Sequence, residues 1–128
     1  MTTKKPKFKD VIGTYKFQMQ TVGTDSVNKL VKYATLELFA DSSFKATNIP
    51  SFVNDRFYGN FSGHGKWDIS IIGSISNGKS NADEWGITLS EAPISLKYIG
   101  FTGTKAPYGL LITYGDPDEG SVVTFKKQ

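Results

Sequence analysis

Residues 59–72 alternate between two kinds of side chain with a period of two. One set is apolar or small: Phe61, Gly63, Gly65, Trp67, Ile69 and Ile71. The intervening set is polar: Ser62, His64, Lys66, Asp68 and Ser70. Because successive side chains of a β-strand point to opposite faces, this pattern predicts a long, half-buried strand. The two glycines on the apolar register predict strong curvature, as in a strand that bends around a barrel.

Shorter runs of the same kind recur along the chain, separated by clusters of turn-forming residues. The predicted strands lie at about 11–19, 30–40, 44–48, 59–72, 85–89, 94–98, 108–114 and 122–125. The sixth run predicts Ile94, Leu96 and Tyr98 on the inward face. Eight sequential strands favour a meander, which removes its exposed edges by closing on itself. We therefore predict an all-β fold, an eight-stranded antiparallel up-and-down barrel, with a two-sheet sandwich as the structural alternative.

The segment 50–58 interrupts this alternation. Pro50 suits the first turn of a helix, and Phe52, Val53 and Phe57 fall near helical spacing. We predict one short helix or lid segment near 50–58. Its apolar residues and Arg56 would form either a lid over the barrel mouth or an exposed contact patch.

The charge distribution argues against a nucleic-acid partner. The 128 residues match one domain with one core, and we predict a basic flexible N-terminal tail at 1–10 and a single barrel domain at 11–128. Four of the 15 basic residues lie within positions 4–9, and residues 10–128 contain 11 basic and 12 acidic residues. A nucleic-acid-binding domain places its Lys and Arg in a stripe on a folded face. Here the other lysines are spread over several strands.

Catalytic and metal-binding motifs are absent from the sequence. There is no cysteine, and the single histidine, His64, is predicted to point outward as a surface residue. The acidic cluster Asp116, Asp118 and Glu119 lacks the further ligands of a Ca²⁺ loop, so it predicts a turn. No nucleophile motif or phosphate-binding loop is present. We therefore predict a protein that is not an enzyme and has no cofactor or metal.

The compartment is left open. No apolar run approaches the roughly 18 residues of a membrane span, so we predict no transmembrane segment. The polar, Lys-rich leader before the first strand is typical of a mature exported or lipid-anchored protein, and a cytoplasmic location is the alternative.

Aromatic residues on the inward registers of different strands should converge inside one barrel. Core packing is one interpretation, and a partly open cavity with tyrosine hydroxyls as polar handles is the other. The candidate ligand-binding residues are Tyr15, Phe52, Arg56, Tyr58, Trp67, Trp85, Tyr98 and Tyr108. The leading functional hypothesis is a non-enzymatic binding module that holds a small apolar or amphipathic ligand in the barrel mouth. The alternative is a protein-interaction module, an inhibitor or immunity-type partner, that uses the 50–58 patch.

Several motifs resemble those of small bacterial lipocalin-like proteins of the calycin type. Gly13-Thr14-Tyr15 is similar to their Gly-x-Trp opening, with Tyr15 in place of Trp. The order of segments is also similar: 36–47, then Gly63-His64-Gly65-Lys66-Trp67, then Trp85-Gly86-Ile87-Thr88-Leu89, then 115–118 and a strand ending at Phe125. The resemblance implies a barrel, export or lipid anchoring in bacteria, and ligand binding as the common activity. It implies no particular ligand.

Overall fold

A computed structural model describes residues 2–20, 32–53, 56–76, 78, 80–113 and 122–128 of the protein. It contains one short helix, α1 (Phe8–Val11), and a 3-10 turn at Ile94–Leu96. The eight strands are β1 (Gly13–Gln20), β2 (Thr35–Leu38), β3 (Ser43–Val53), β4 (Arg56–Ser76), β5 (Asn81–Leu89), β6 (Tyr98–Thr102), β7 (Gly109–Thr113) and β8 (Val122–Lys127). The predicted turn at 115–120 lies outside the described residues.

The strands form a closed ring in sequence order, and every neighbouring pair is antiparallel. The ring is closed by β1 and β8, where Tyr15 lies opposite Lys127 and Phe17 lies opposite Phe125. Closure gives each strand a hydrogen-bonded neighbour on both sides over part of its length, which is the physical advantage of a barrel over an open sheet. The predicted up-and-down barrel is confirmed, and the two-sheet alternative is excluded.

The inward side chains form one apolar core. Among its fully buried members are Tyr15, Leu36, Leu38, Phe44, Ile49, Ile87, Leu89, Ile99, Phe101, Leu110, Ile112, Val123 and Phe125. The two inward glycines of β4 make room for aromatic rings. A Cβ on Gly63 would stand 2.9 Å from the Phe61 ring, and a Cβ on Gly65 would stand 2.9 Å from the Phe44 ring. These rings therefore pack directly against the backbone of β4 at the two glycines. Such close packing is consistent with the strand curvature that the sequence predicted.

The predicted short helix at 50–58 is wrong, because the described residues of this segment, 50–53 and 56–58, belong to the strands β3 and β4. Phe52 lies opposite Phe57, and Val53 lies opposite Arg56. Register shifts fall between Ala46 and Ile49 and again between Ser51 and Phe52. These bulges break the period-two pattern locally, and the remaining apolar spacing mimics a helix. Pairing between the strands then outweighs the helix that the apolar spacing of this segment suggests.

The sixth strand begins four residues later than predicted, which changes the face of one candidate residue. Residues 94–96 form the 3-10 turn, and β6 places Ile99 and Phe101 in the core. Tyr98 is therefore on the outside, with 55% of its side chain exposed. The turn itself lies against β3, where the hydroxyls of Ser51 and Ser95 are 3.1 Å apart. A shift of register by one residue exchanges the two faces of a strand, which explains the error.

The first residues of the chain are packed against the barrel, whereas the sequence predicted a flexible tail at 1–10. Thr2 is buried; its hydroxyl donates to the Gly103 carbonyl at 2.6 Å, and its carbonyl accepts from the Trp85 backbone N–H at 2.9 Å. The Phe8 ring stacks on the Trp67 ring with centroids 4.9 Å apart. We call residues 2–11 the N-terminal strap. It links β4, β5 and the β6–β7 loop, and its lysines point into solvent.

Candidate binding cleft

Three of the predicted ligand-binding aromatics lie in the core. Tyr15 is fully buried, and its hydroxyl donates to the Val11 carbonyl at 2.6 Å. Burial raises the pKa of the Tyr15 phenol above its usual value, so the group stays neutral. The Trp67 indole N–H donates to the Phe39 carbonyl at 3.0 Å. Tyr108 packs at a tilt against Phe101, with ring centroids 5.5 Å apart. All three therefore have structural roles in the described interior.

The other five predicted residues do not join them. Trp85 is half-buried below the strap, with the Lys5 ammonium 5.6 Å from the centre of its ring. Tyr98 faces outward, as described above. Phe52, Arg56 and Tyr58 lie on the β3–β4 hairpin, and their side chains are outside the described part of the structure. The structure therefore does not bring the described candidates together into one site.

A cleft of about 710 Å³ lies on the outer face of β3 and β4. Its lining residues are Phe39, Ser43, Phe44, Lys45, Ala46, Thr47, Ser62, Gly63, His64 and Gly65. Because the side chains of Phe44 and Ala46 point into the core, these residues present their backbone to the cleft, as the two glycines do. The walls are the outward side chains of the two strands. We call this site the outer cleft.

Local backbone features shape the outer cleft. The bulge after Ala46 places Asn48 at a φ of 53°, in the left-handed region. The Asn48 backbone N–H then donates to the Ser62 hydroxyl at 3.0 Å, which joins the two strands at the bulge. A bulge bends its strand and increases the local twist, so the outer surface becomes concave here. The two glycines of the Gly63-His64-Gly65 segment, which pairs with residues just before the bulge, predicted curvature, but they gave no indication of a cleft.

The side chains around the outer cleft combine basic, hydroxyl and aromatic groups. Lys45 lies directly opposite His64, and both are exposed, as predicted for His64. Ser43, Thr47 and Ser62 add hydroxyls along the same walls. Phe39 lies at one end, with 42% of its side chain exposed. Lys45 and His64 are the titratable residues of the described lining, and neither is acidic.

The turn between β2 and β3 forms one border of the cleft. Asp41 accepts hydrogen bonds from the Ser43 hydroxyl at 2.5 Å and from the Ser43 backbone N–H at 2.9 Å. These two bonds, with a smaller contribution from Lys66, lower the pKa of Asp41 below its usual value. The carboxylate therefore stays ionised and holds the turn closed, so Ser43 has a fixed position at the cleft.

Replacing Ser43 with alanine is expected to raise the pKa of Asp41, because the stronger of its two hydrogen bonds is lost. The native carboxylate stabilises the fold at neutral pH, and this contribution is lost as the pH falls through its lowered pKa. The variant should therefore lose less stability on acidification. An NMR titration of the Asp41 carboxyl carbon measures the shift. The control is Ser74→Ala, near the other end of β4. An equal Asp41 pKa in both variants would contradict this account.

Within the described ranges, there is no group of three or more His, Cys, Asp or Glu residues that could hold a metal ion. No helix in the same part of the chain is long and apolar enough to cross a membrane. The sequence matches no protein-family model, and comparisons with curated proteins and with solved structures found no significant match.

Proposed function

We propose that this protein is a non-enzymatic binding module that holds a small amphipathic molecule in the outer cleft. The observation that carries the proposal is the cleft itself, which combines a backbone floor, one exposed ring and a few polar side chains. Its volume of about 710 Å³ falls in the range of small-molecule sites. A ligand-binding role is also what the resemblance to lipocalin-like proteins implies.

The location differs from the barrel mouth that the sequence favoured. Tyr15, Trp67 and Tyr108 are packed in the described interior as members of the apolar core. A ligand inside the barrel would have to displace these packed side chains, and removing one large core side chain costs about 3–5 kcal/mol. The outer cleft requires no such displacement. Binding there is therefore the better-supported form of the hypothesis.

The polar groups of the cleft favour binding over catalysis. The Ser43 hydroxyl donates to Asp41, and the Ser62 hydroxyl accepts from the Asn48 backbone. A serine nucleophile needs a base that takes its proton, but here the Ser43 proton is directed to a turn carboxylate that has a lowered pKa. These hydroxyls are suited to hold the shape of the cleft and to contact a ligand.

The alternative function stays a prediction. A protein-interaction surface at 50–58 depends on the side chains of Phe52, Arg56 and Phe57, which lie outside the described residues. Membership of the lipocalin-like proteins and export or lipid anchoring likewise remain hypotheses from the sequence.

Filling the outer cleft is expected to abolish binding of an apolar fluorescent probe. Thr47 is a half-buried wall residue, and a tryptophan in its place would occupy the cleft without touching the core. We expect N-phenylnaphthylamine to bind the native protein and to bind Thr47→Trp at least about tenfold more weakly, a loss of about 1.4 kcal/mol. A fluorescence titration measures both affinities.

The matched control is Thr113→Trp, on the exposed surface of β7. It introduces the same ring on a strand that does not line the outer cleft. Native-like probe affinity is expected for this variant. Equal affinities of the native protein and Thr47→Trp, or no binding to the native protein, would rule out the outer cleft as the site.

A further inference from the structure

Lys45 and His64 form a pair of basic side chains inside the outer cleft. They lie directly opposite each other on β3 and β4, and both side chains are exposed on the outer face. Directly opposed residues of antiparallel strands have Cβ atoms about 4.5–5.5 Å apart. The ammonium of Lys45 and the imidazole of His64 can therefore reach one common group above the cleft floor.

We infer that the ligand of the outer cleft is an amphipathic anion, whose carboxylate, sulfonate or phosphate group is bound by Lys45 and His64. This inference rests on the proposed binding function and adds the chemical class of the ligand. Both residues can donate hydrogen bonds, and charge-assisted bonds to an anion are about twice as strong as neutral ones. The hydroxyl of Thr47 supplies a further donor on the same wall.

The charges near the cleft divide into two groups. Lys66 lies opposite Ser43 and makes a minor contribution to lowering the pKa of Asp41, and it does not line the cleft. Lys45 has an acidic neighbour as well, because Glu37 lies opposite it on β2. Glu37 does not line the cleft. Its carboxylate lies on the other side of Lys45 and would repel a bound anion. Removal of this negative charge should therefore strengthen anion binding, which is a second test of the inference.

The apolar part of the ligand would lie along the floor of the outer cleft. The floor beside Lys45 consists of residues of the inward register, Phe44 and Ala46 on β3 and Gly63 and Gly65 on β4. The Phe39 ring lies at one end and is partly exposed. A flat ring or a short aliphatic chain fits along such a floor, since aromatic groups contribute contact area at low entropic cost. The class is therefore a small anion with an aromatic or aliphatic body.

Two probes that differ by one anionic group test the inference. Anilinonaphthalene sulfonate carries a sulfonate, and N-phenylnaphthylamine has the same rings without it. We expect Lys45→Gln to weaken binding of the sulfonate probe about five- to tenfold, in the range of one solvent-exposed hydrogen bond, and to leave the neutral probe unchanged. Glu37→Gln should instead tighten binding of the sulfonate probe about twofold to threefold, in the range of a weak surface interaction.

The control for loss of one positive charge is Lys16→Gln, an exposed residue of β1 that does not line the outer cleft. It should bind both probes as the native protein does. Backbone amide shifts of 43–47 and 62–65 in NMR spectra should locate the sulfonate probe in the cleft. Circular dichroism confirms that each variant is folded.

The outcomes separate the two proposals. If the neutral probe binds in the outer cleft but Lys45→Gln leaves the affinity for the sulfonate probe unchanged, the anion inference fails and the binding function stands. An equal loss in Lys45→Gln and Lys16→Gln also overturns the inference, because it shows a general charge effect. If neither probe binds the native protein, or if the shifts lie elsewhere, both proposals fail.

Discussion

Replacing Gly86 with alanine is expected to destabilise the barrel by about 3 kcal/mol, the upper part of the range for overpacking a well-filled site. A Cβ at this position would overlap the backbone carbonyl oxygen of Ile99, and it would stand 2.7 Å from the Ile72 Cδ1 atom. Because the first obstacle is backbone of the neighbouring strand, it cannot turn away. The strands β5 and β6 would have to separate.

The control lies directly across the strands. Gly100 is paired with Gly86, but a Cβ on Gly100 would meet its nearest atom, Ile72 Cδ1, at an ordinary 3.5 Å. Gly100→Ala should change the free energy of unfolding by no more than about 1 kcal/mol, and a lower entropy of the unfolded chain favours a gain. Urea unfolding of both variants measures the difference. Similar losses at the two positions would show that the β5–β6 spacing does not depend on Gly86.

Deletion of residues 2–9 from the N-terminal strap is expected to lower the free energy of unfolding by about 3 kcal/mol. The estimate combines two hydrogen bonds of Thr2, at about 1 kcal/mol each, with the loss of ring contact between Phe8 and Trp67. The deletion also uncovers Trp67, so its fluorescence should shift to longer wavelength. Urea unfolding followed by tryptophan emission reports both effects.

Removing only the positive charges of the strap should not reproduce this loss of stability. A variant in which Lys4, Lys5, Lys7 and Lys9 are all glutamine keeps the backbone and ring contacts of the strap. Its stability is expected to fall by less than about 1 kcal/mol, mainly through the contact of Lys5 with the Trp85 ring. If the deletion is as stable as the native protein, the strap does not contribute to the fold.

Strand order and closure could be predicted because they follow from binary patterning. The alternation around Trp67 identifies a strand whatever its neighbours are, and the meander then leaves two edges that can satisfy each other. The structure confirms this at the contact of β1 with β8. The period-two pattern also placed Tyr15 and Trp67 on the inner face correctly.

The errors have a common physical cause, since each concerns a residue whose environment is set by a distant part of the chain. The bulges beside Ser51 depend on pairing with β4, and the exposure of Tyr98 depends on where β5 and β6 come into register. Burial of Thr2 depends on a carbonyl in the β6–β7 loop. None of these partners is visible in a local window of sequence.

The outer cleft could not be predicted for a related reason. A sequence pattern separates inner from outer faces, but it does not measure how strongly the outer face curves. The cleft lies beside the bulge at Asn48, and Gly63 and Gly65 belong to its lining. His64 was correctly predicted to face outward. The pattern did not predict that Lys45 lies opposite it on the neighbouring strand.

The hydrogen bond between Thr2 and Gly103 joins residues 101 positions apart. The segment around Thr2 therefore has no docking site during synthesis until the chain has reached Gly103. Long-range contacts of this kind slow the folding of a small domain, because the loop between them must be closed first. The strap is thus expected to dock at the end of folding, after β5 and the β6–β7 loop have formed the surface that it contacts.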